Sequence, residues 1–131
     1  VVQFLKDGQS SELEPLRRLG ARVYSGQPGT KFFSQMTPEE REEVRARHND
    51  LLRQALESPC DLLVLDEAVP PPVEENLLRR AVLERPAGRE VVLTGRDPAP
   101  WMQEAADYST EMCCHKHPYR QGIAARKGVE Y

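Results

Sequence analysis

Leu62-Leu63-Val64-Leu65 runs directly into Asp66-Glu67, and an apolar strand that ends in two carboxylates is a place where a hard cation can be held. Magnesium prefers oxygen ligands, one or two from carboxylates and the rest from phosphate and water. In strands of the Walker B kind the first acid holds the metal or its water, and a neighbouring acid orients a ligand or reacting group. Solvated acids also end many ordinary strands, so the pattern leaves both readings open. Thr94-Gly95-Arg96 closes a second apolar run with a hydroxyl and a guanidinium, whose planar fork matches phosphate oxygens; the alternative is a turn with a surface Arg. Cys113-Cys114-His115-Lys116-His117 gathers metal-ligand types, but the spacing is poor for zinc. The two cysteines are adjacent, no second Cys/His pair stands at a standard separation, and Cys60 is remote. Adjacent cysteines at a strand end, one inward and one outward, are the better account. His48 lies on an apolar helical face and reads as a packed, satisfied core histidine, Phe32-Phe33 can be ordinary core, and Trp101 reads as packing at a helix start.

The elements that must position these groups follow from periodicity and punctuation. Val1 to Leu5 reads as a short strand broken at Lys6-Asp7-Gly8. Leu13, Leu16 and Leu19 at helical spacing, stopping at Gly20, predict a helix from Glu12, and Ala21 to Tyr24 is a second short strand candidate. Thr37, Pro38 and Glu40 form a capping box with proline at the first helical position. The helix they open presents Val44, His48, Leu51, Leu52, Ala55 and Leu56 on one face and ends near Ser58-Pro59. The continuous apolar run into Asp66 predicts a strand covered on both faces, as in a parallel sheet between helices. After Pro70-Pro71-Pro72 comes a helix with Leu77, Leu78, Ala81 and Val82 on one side, ending at Arg85-Pro86. Glu90 to Leu93 predicts another buried strand, Pro100 to Ala106 a short helix, and Tyr108 to Met112 a last strand. Strands alternating with helices make a mostly parallel α/β sheet, and ligands of such sheets sit beyond the carboxyl ends of the strands. Gln3, Lys6, Asp66, Glu67, Thr94 and Arg96 stand at those ends.

The 131 residues suit one domain. A net charge of −3 argues against nucleic acid as the main partner. Residues 115–131 carry Lys116, Arg120, Arg126 and Lys127 against Glu130, a basic tail on an acidic body. Such a tail is either a solvated end or a segment that folds over a polyphosphate. No apolar run approaches the roughly 18 residues of a membrane span, and three cysteines, two of them adjacent, suggest a reducing cytosol.

Taken together, Val1-Val2-Gln3-Phe4-Leu5-Lys6, Leu62 to Glu67, Val92-Leu93-Thr94-Gly95-Arg96 and Ala106 to Met112 occur in the order seen in ATP:corrinoid adenosyltransferases of the P-loop type. Lys116-His117-Pro118-Tyr119 followed by Gly122 to Tyr131 resembles that family's C-terminal signature. The resemblance implies a RecA-like α/β fold, a cytoplasmic homodimer, ATP with magnesium or manganese, and a corrinoid substrate, with an electron-donating flavoprotein as a further partner and no nucleic acid or membrane. It implies transfer of the 5′-deoxyadenosyl group from ATP to Co(I) of the corrinoid, with release of triphosphate, in adenosylcobalamin biosynthesis or salvage. It carries Asp66 and Glu67 over as the metal-associated acids, Thr94, Arg96, Lys116 and His117 as nucleotide contacts, and Phe32 and Phe33 as residues near the corrin. The sequence departs from the family in having no Trp beside Phe32-Phe33 and three prolines after the acid pair. The family also opens with a strand, a Gly/Lys-rich phosphate loop and a helix, and nothing in residues 1–131 resembles that loop. The expectation is therefore a single, N-terminally truncated domain over 1–131 that by itself binds ATP poorly and catalyses nothing measurable. Two rival readings are a P-loop kinase or ATPase on the same scaffold and a non-catalytic module that holds nucleotide or corrinoid.

Overall fold

The structure, a computed structural model, describes residues 1–26, 31–69 and 72–129. Its elements in order are β1 (Val2–Gln3), α1 (Leu13–Arg18), α2 (Pro38–Glu57), β2 (Leu62–Val69), α3 (Glu75–Leu83), β3 (Glu90–Gly95) and α4 (Pro100–Ala105). Short 3-10 turns occupy Phe33–Gln35 and Pro118–Gln121. The three strands form one sheet in the order β1-β2-β3, and both pairings are parallel. The α/β expectation therefore holds.

Local chemistry explains the helix limits. At the start of α2 the Glu40 amide donates to Thr37 Oγ1 at 3.3 Å, and the Thr37 amide donates to Glu40 Oε2 at 2.9 Å. This satisfies two of the amides that a helix start leaves without partners. Pro59 then forces Ser58 out of helical geometry, and α2 stops. Helix α1 stops before Gly20, whose φ of +86° is open to a residue without a side chain.

The core lies between one face of the sheet and the helices α2 and α3. Val2, Phe4, Leu63, Leu65 and Ala68 from the sheet side meet Leu51, Leu52 and Ala55 of α2 and Leu77, Leu78 and Ala81 of α3. Residues 63 and 65 face this core because strand side chains alternate. The opposite face differs from the expectation of a sheet covered on both sides. Leu62 is 54% exposed and Val92 44% exposed, so among the described residues only part of that face is covered.

Two further expectations are corrected. Ala21 to Tyr24 contributes a single parallel bridge, Val2 with Tyr24, rather than a strand. Residues 108–112 form no strand, and Tyr108 and Met112 are 94% and 93% exposed. Strand-forming residue types cannot supply a ladder by themselves, because each strand needs a neighbour to pair its amides and carbonyls. Cys113 and Cys114 are both exposed, so one-in, one-out packing at a strand end does not occur either.

Candidate functional site

Asp66 and Glu67 stand where β2 leaves its regular pairing. The register runs evenly from Leu62–Glu90 to Leu65–Leu93, then jumps to Val69–Gly95, so β2 advances four residues while β3 advances two. An irregularity of this kind bends a strand and re-aims its side chains. Glu67 takes up the distortion at φ +56°. Leu5 and Asp97, just beyond β1 and β3, are also left-handed, at φ +55° and +51°. All three strand mouths thus carry a side-chain-bearing residue in a conformation that costs about 1 kcal/mol or more, and such strain collects at functional sites.

Thr94 ties the two acids together. Its hydroxyl donates to Asp66 Oδ1 at 2.7 Å and accepts from the Glu67 amide at 3.0 Å. On the other side the Phe4 amide donates to the Asp66 carbonyl at 3.0 Å. The acid pair is therefore fixed between the mouths of β1 and β3. The Thr94 hydroxyl spends its proton on the Asp66 carboxylate, so its visible work is to orient that acid and hold the Glu67 main chain. Both carboxylates are half-buried. No group of three or more His, Cys, Asp or Glu that could hold an ion occurs among the described residues. A magnesium ion that brings its own phosphate and water needs only one or two carboxylates.

Phe32 and Phe33 belong to a second group. They line a cleft of about 800 Å³ with Leu5, Lys6, Asp7 and Lys127. Phe33 lies beneath the Arg41 guanidinium, 5.5 Å from the ring centroid, while Phe32 is exposed. Lys127 enters this cleft from the C-terminal tail, a placement that sequence spacing alone could not supply. Among the described residues on its walls, Lys6, Lys31 and Lys127 outnumber the carboxylate of Asp7.

Leu5 joins the two groups, since it lies one residue past Phe4 and also lines the cleft. Arg96 is exposed just beyond β3. Lys116 and His117 are exposed as well, and His117 caps the 3-10 turn at Pro118–Gln121, its Nδ1 accepting from the Tyr119 amide at 3.1 Å. The structure brings Asp66, Glu67 and Thr94 together and gathers Phe32 and Phe33 with Lys6 and Lys127; Arg96, Lys116 and His117 make no hydrogen bond to either group.

His48 is a packed core residue, as its helical position implied, and is 0% exposed. Its Nε2 accepts from the Leu5 amide at 3.2 Å, and its Nδ1 lies 3.3 Å from the Pro72 carbonyl oxygen. A carbonyl only accepts, so the ring is the neutral tautomer with its proton on Nδ1. Burial pushes its pKa down to about 4; the Pro72 carbonyl opposes that shift and Arg47 adds to it. No helix among the described residues is long and apolar enough to cross a membrane.

The family model described as ATP:corrinoid adenosyltransferase BtuR/CobO/CobP matches residues 1–131. Over 144 residues the chain is 36% identical to a corrinoid adenosyltransferase of Pseudomonas aeruginosa, an alignment that covers 100% of this chain and 68% of that protein. It is 28% identical over 141 residues to the corrinoid adenosyltransferase of Escherichia coli K12, covering 100% of this chain and 69% of the relative. A corrinoid adenosyltransferase of Sinorhizobium sp is 50% identical over 48 residues, 37% of this chain and 22% of that protein.

Proposed function

This chain belongs to the ATP:corrinoid adenosyltransferase family, and on that premise we propose that its residues form the metal side and the corrin side of a site that transfers the 5′-deoxyadenosyl group of ATP to Co(I) of a corrinoid. The observation that carries this reading is the Asp66–Thr94–Glu67 arrangement at adjacent parallel strand mouths. In that arrangement Asp66 would hold a magnesium ion through its carboxylate, Glu67 would bind its water or orient the ribose, and the ion would supply charge against the departing triphosphate. Co(I) is itself the nucleophile, so the protein need not create one. Its tasks are to place the ribose carbon over cobalt and to neutralise the departing triphosphate.

The cleft beside Leu5 supports the corrin half. Phe32 and Phe33 give an apolar wall against a macrocycle, and Lys6 and Lys127 sit where they can meet acidic or phosphate groups on either substrate. Arg96 serves the phosphates from the mouth of β3, and Lys116 and His117 join it when the tail closes over the nucleotide. Residues 1–131 contain no Gly/Lys-rich loop, and such a loop supplies most phosphate affinity through its backbone amides and lysine.

Two measurements test the reading. Calorimetric titration of the 131-residue chain with Mg-ATP is expected to show no micromolar binding. The same chain, extended at its amino end by a strand, phosphate loop and helix of the family kind and supplied with ATP and a reduced corrinoid, is expected to form a cobalt–carbon bond and release intact triphosphate. Asp66→Asn should abolish that reaction. Release of orthophosphate without adenosylated corrinoid would refute the proposal in favour of an ATPase.

A further inference from the structure

Two consecutive polar residues of α2, His48 and Asn49, are buried at 0% and 3% exposure, and the proposed reaction uses neither. Burying such groups is costly unless each polar atom finds a partner. Here the partners are all main-chain or side-chain groups of two segments that leave the sheet. His48 Nε2 takes the Leu5 amide beyond β1, and Nδ1–H gives to the Pro72 carbonyl beyond β2. Asn49 makes a reciprocal pair one residue along: its Nδ2 donates to Glu74 Oε1 at 2.9 Å, and its Oδ1 accepts the Glu74 amide at 2.9 Å. Part of one helical turn therefore grips the chain at the mouths of two adjacent strands. The Leu5 end of this grip matters most, because Leu5 is held left-handed at φ +55° and lines the cleft of Phe32 and Phe33. A leucine leaves that conformation unless its surroundings compel it. The edge of the ring against Phe4, with centroids 5.3 Å apart, fixes the imidazole while it does so.

We propose that His48, seconded by Asn49, is a positioning residue that locks Leu5 in its left-handed conformation and so sets the wall of the cleft for an incoming corrinoid. The corrinoid part of this inference rests on the reading given above; the lock on Leu5 does not. A residue that merely filled space could be replaced by any ring of similar size. The lock instead needs one acceptor and one donor in place. His48→Phe keeps the apolar volume and can keep the edge contact with Phe4, but lacks both polar atoms. His48→Gln offers an amide oxygen to the Leu5 amide and an amide N–H to the Pro72 carbonyl.

The test uses the 131-residue chain, with hydroxocobalamin as probe in an absorbance titration and amide hydrogen exchange as the second readout. His48→Phe is expected to bind hydroxocobalamin about tenfold more weakly than wild type, the loss that one net hydrogen bond of ordinary strength carries. His48→Gln should stay within about threefold. In His48→Phe the Leu5 and Lys6 amides should exchange faster while the Leu52 amide in the interior of α2 keeps its protection, which separates a local lock from general loosening. Nitrogen NMR of the wild-type ring should show Nδ1 protonated and Nε2 bare. The proposal is overturned if the Leu5 amide is as protected in His48→Phe as in wild type, or if wild type binds the probe and the two variants bind it alike. If wild type itself does not bind hydroxocobalamin, the corrin reading falls, and the exchange and ring-nitrogen measurements still decide the lock.

Discussion

Lowering the pH from 7 to 5 should remove about 2 kcal/mol of stability through His48 alone, and about 3 kcal/mol by pH 4. The ring is neutral in the fold because burial holds its pKa at about 4, against an ordinary value of 6.5 in the unfolded chain. With the folded value depressed, the unfolded state binds the proton first as pH falls. The stability contributed by the neutral ring is complete above pH 6.5 and is lost as the pH drops from there through about 4. Each unit of that window is worth about 1.4 kcal/mol, which sets the two figures. Urea unfolding of wild type and His48→Gln at pH 7, 5 and 4 isolates the residue, because the amide of Gln does not titrate. Glu39 and Glu40 also titrate below their ordinary values, the first mainly through a hydrogen bond to its own backbone amide and the second through Lys31. They are present in both proteins and cancel in the comparison. The wild-type chain should lose about 2 kcal/mol more than the variant between pH 7 and 5. An identical pH response in the two proteins would refute the picture of a neutral, fully buried ring.

Two other outcomes follow from the packing. Leu65→Ala removes a side chain with no exposed surface from the middle of β2. It should cost about 2–5 kcal/mol, a large share of the roughly 5–15 kcal/mol available to a domain, readable as a lowered urea midpoint. Thr37→Ala opens the capping box of α2 and should cost about 1 kcal/mol, seen as a fall in Tm with the helical circular dichroism of the folded state retained.

Much of this molecule was legible before its structure. The capping box at Thr37, the apolar face of α2 and the stop at Pro59 were readable because each depends on residues within a few positions of one another. The same holds for α3 and for the parallel strand that carries Asp66-Glu67, although β2 runs on to Val69 rather than ending at the acid pair. Family membership was also readable, because five short segments in a fixed order are jointly far more specific than any one of them. Tyr108 to Met112 misled because its residue types favour a strand while the ladder that makes one must come from elsewhere in the fold. The sheet's second face misled for a related reason: apolar alternation says which side chains can be buried, not what arrives to bury them.

The candidate site divides along the same line. Sequence determined which residue types stand at the mouths of the strands. Tertiary structure decided what those residues do there. It turned the Thr94 hydroxyl toward the Asp66 carboxylate and the Glu67 main-chain amide, brought Lys127 to the cleft of Phe32 and Phe33, and gave the Leu5 amide an imidazole 43 residues away. A buried polar atom must find a partner wherever the folded chain brings one within about 3 Å, and that proximity is a property of three-dimensional packing that no local spacing of residues encodes.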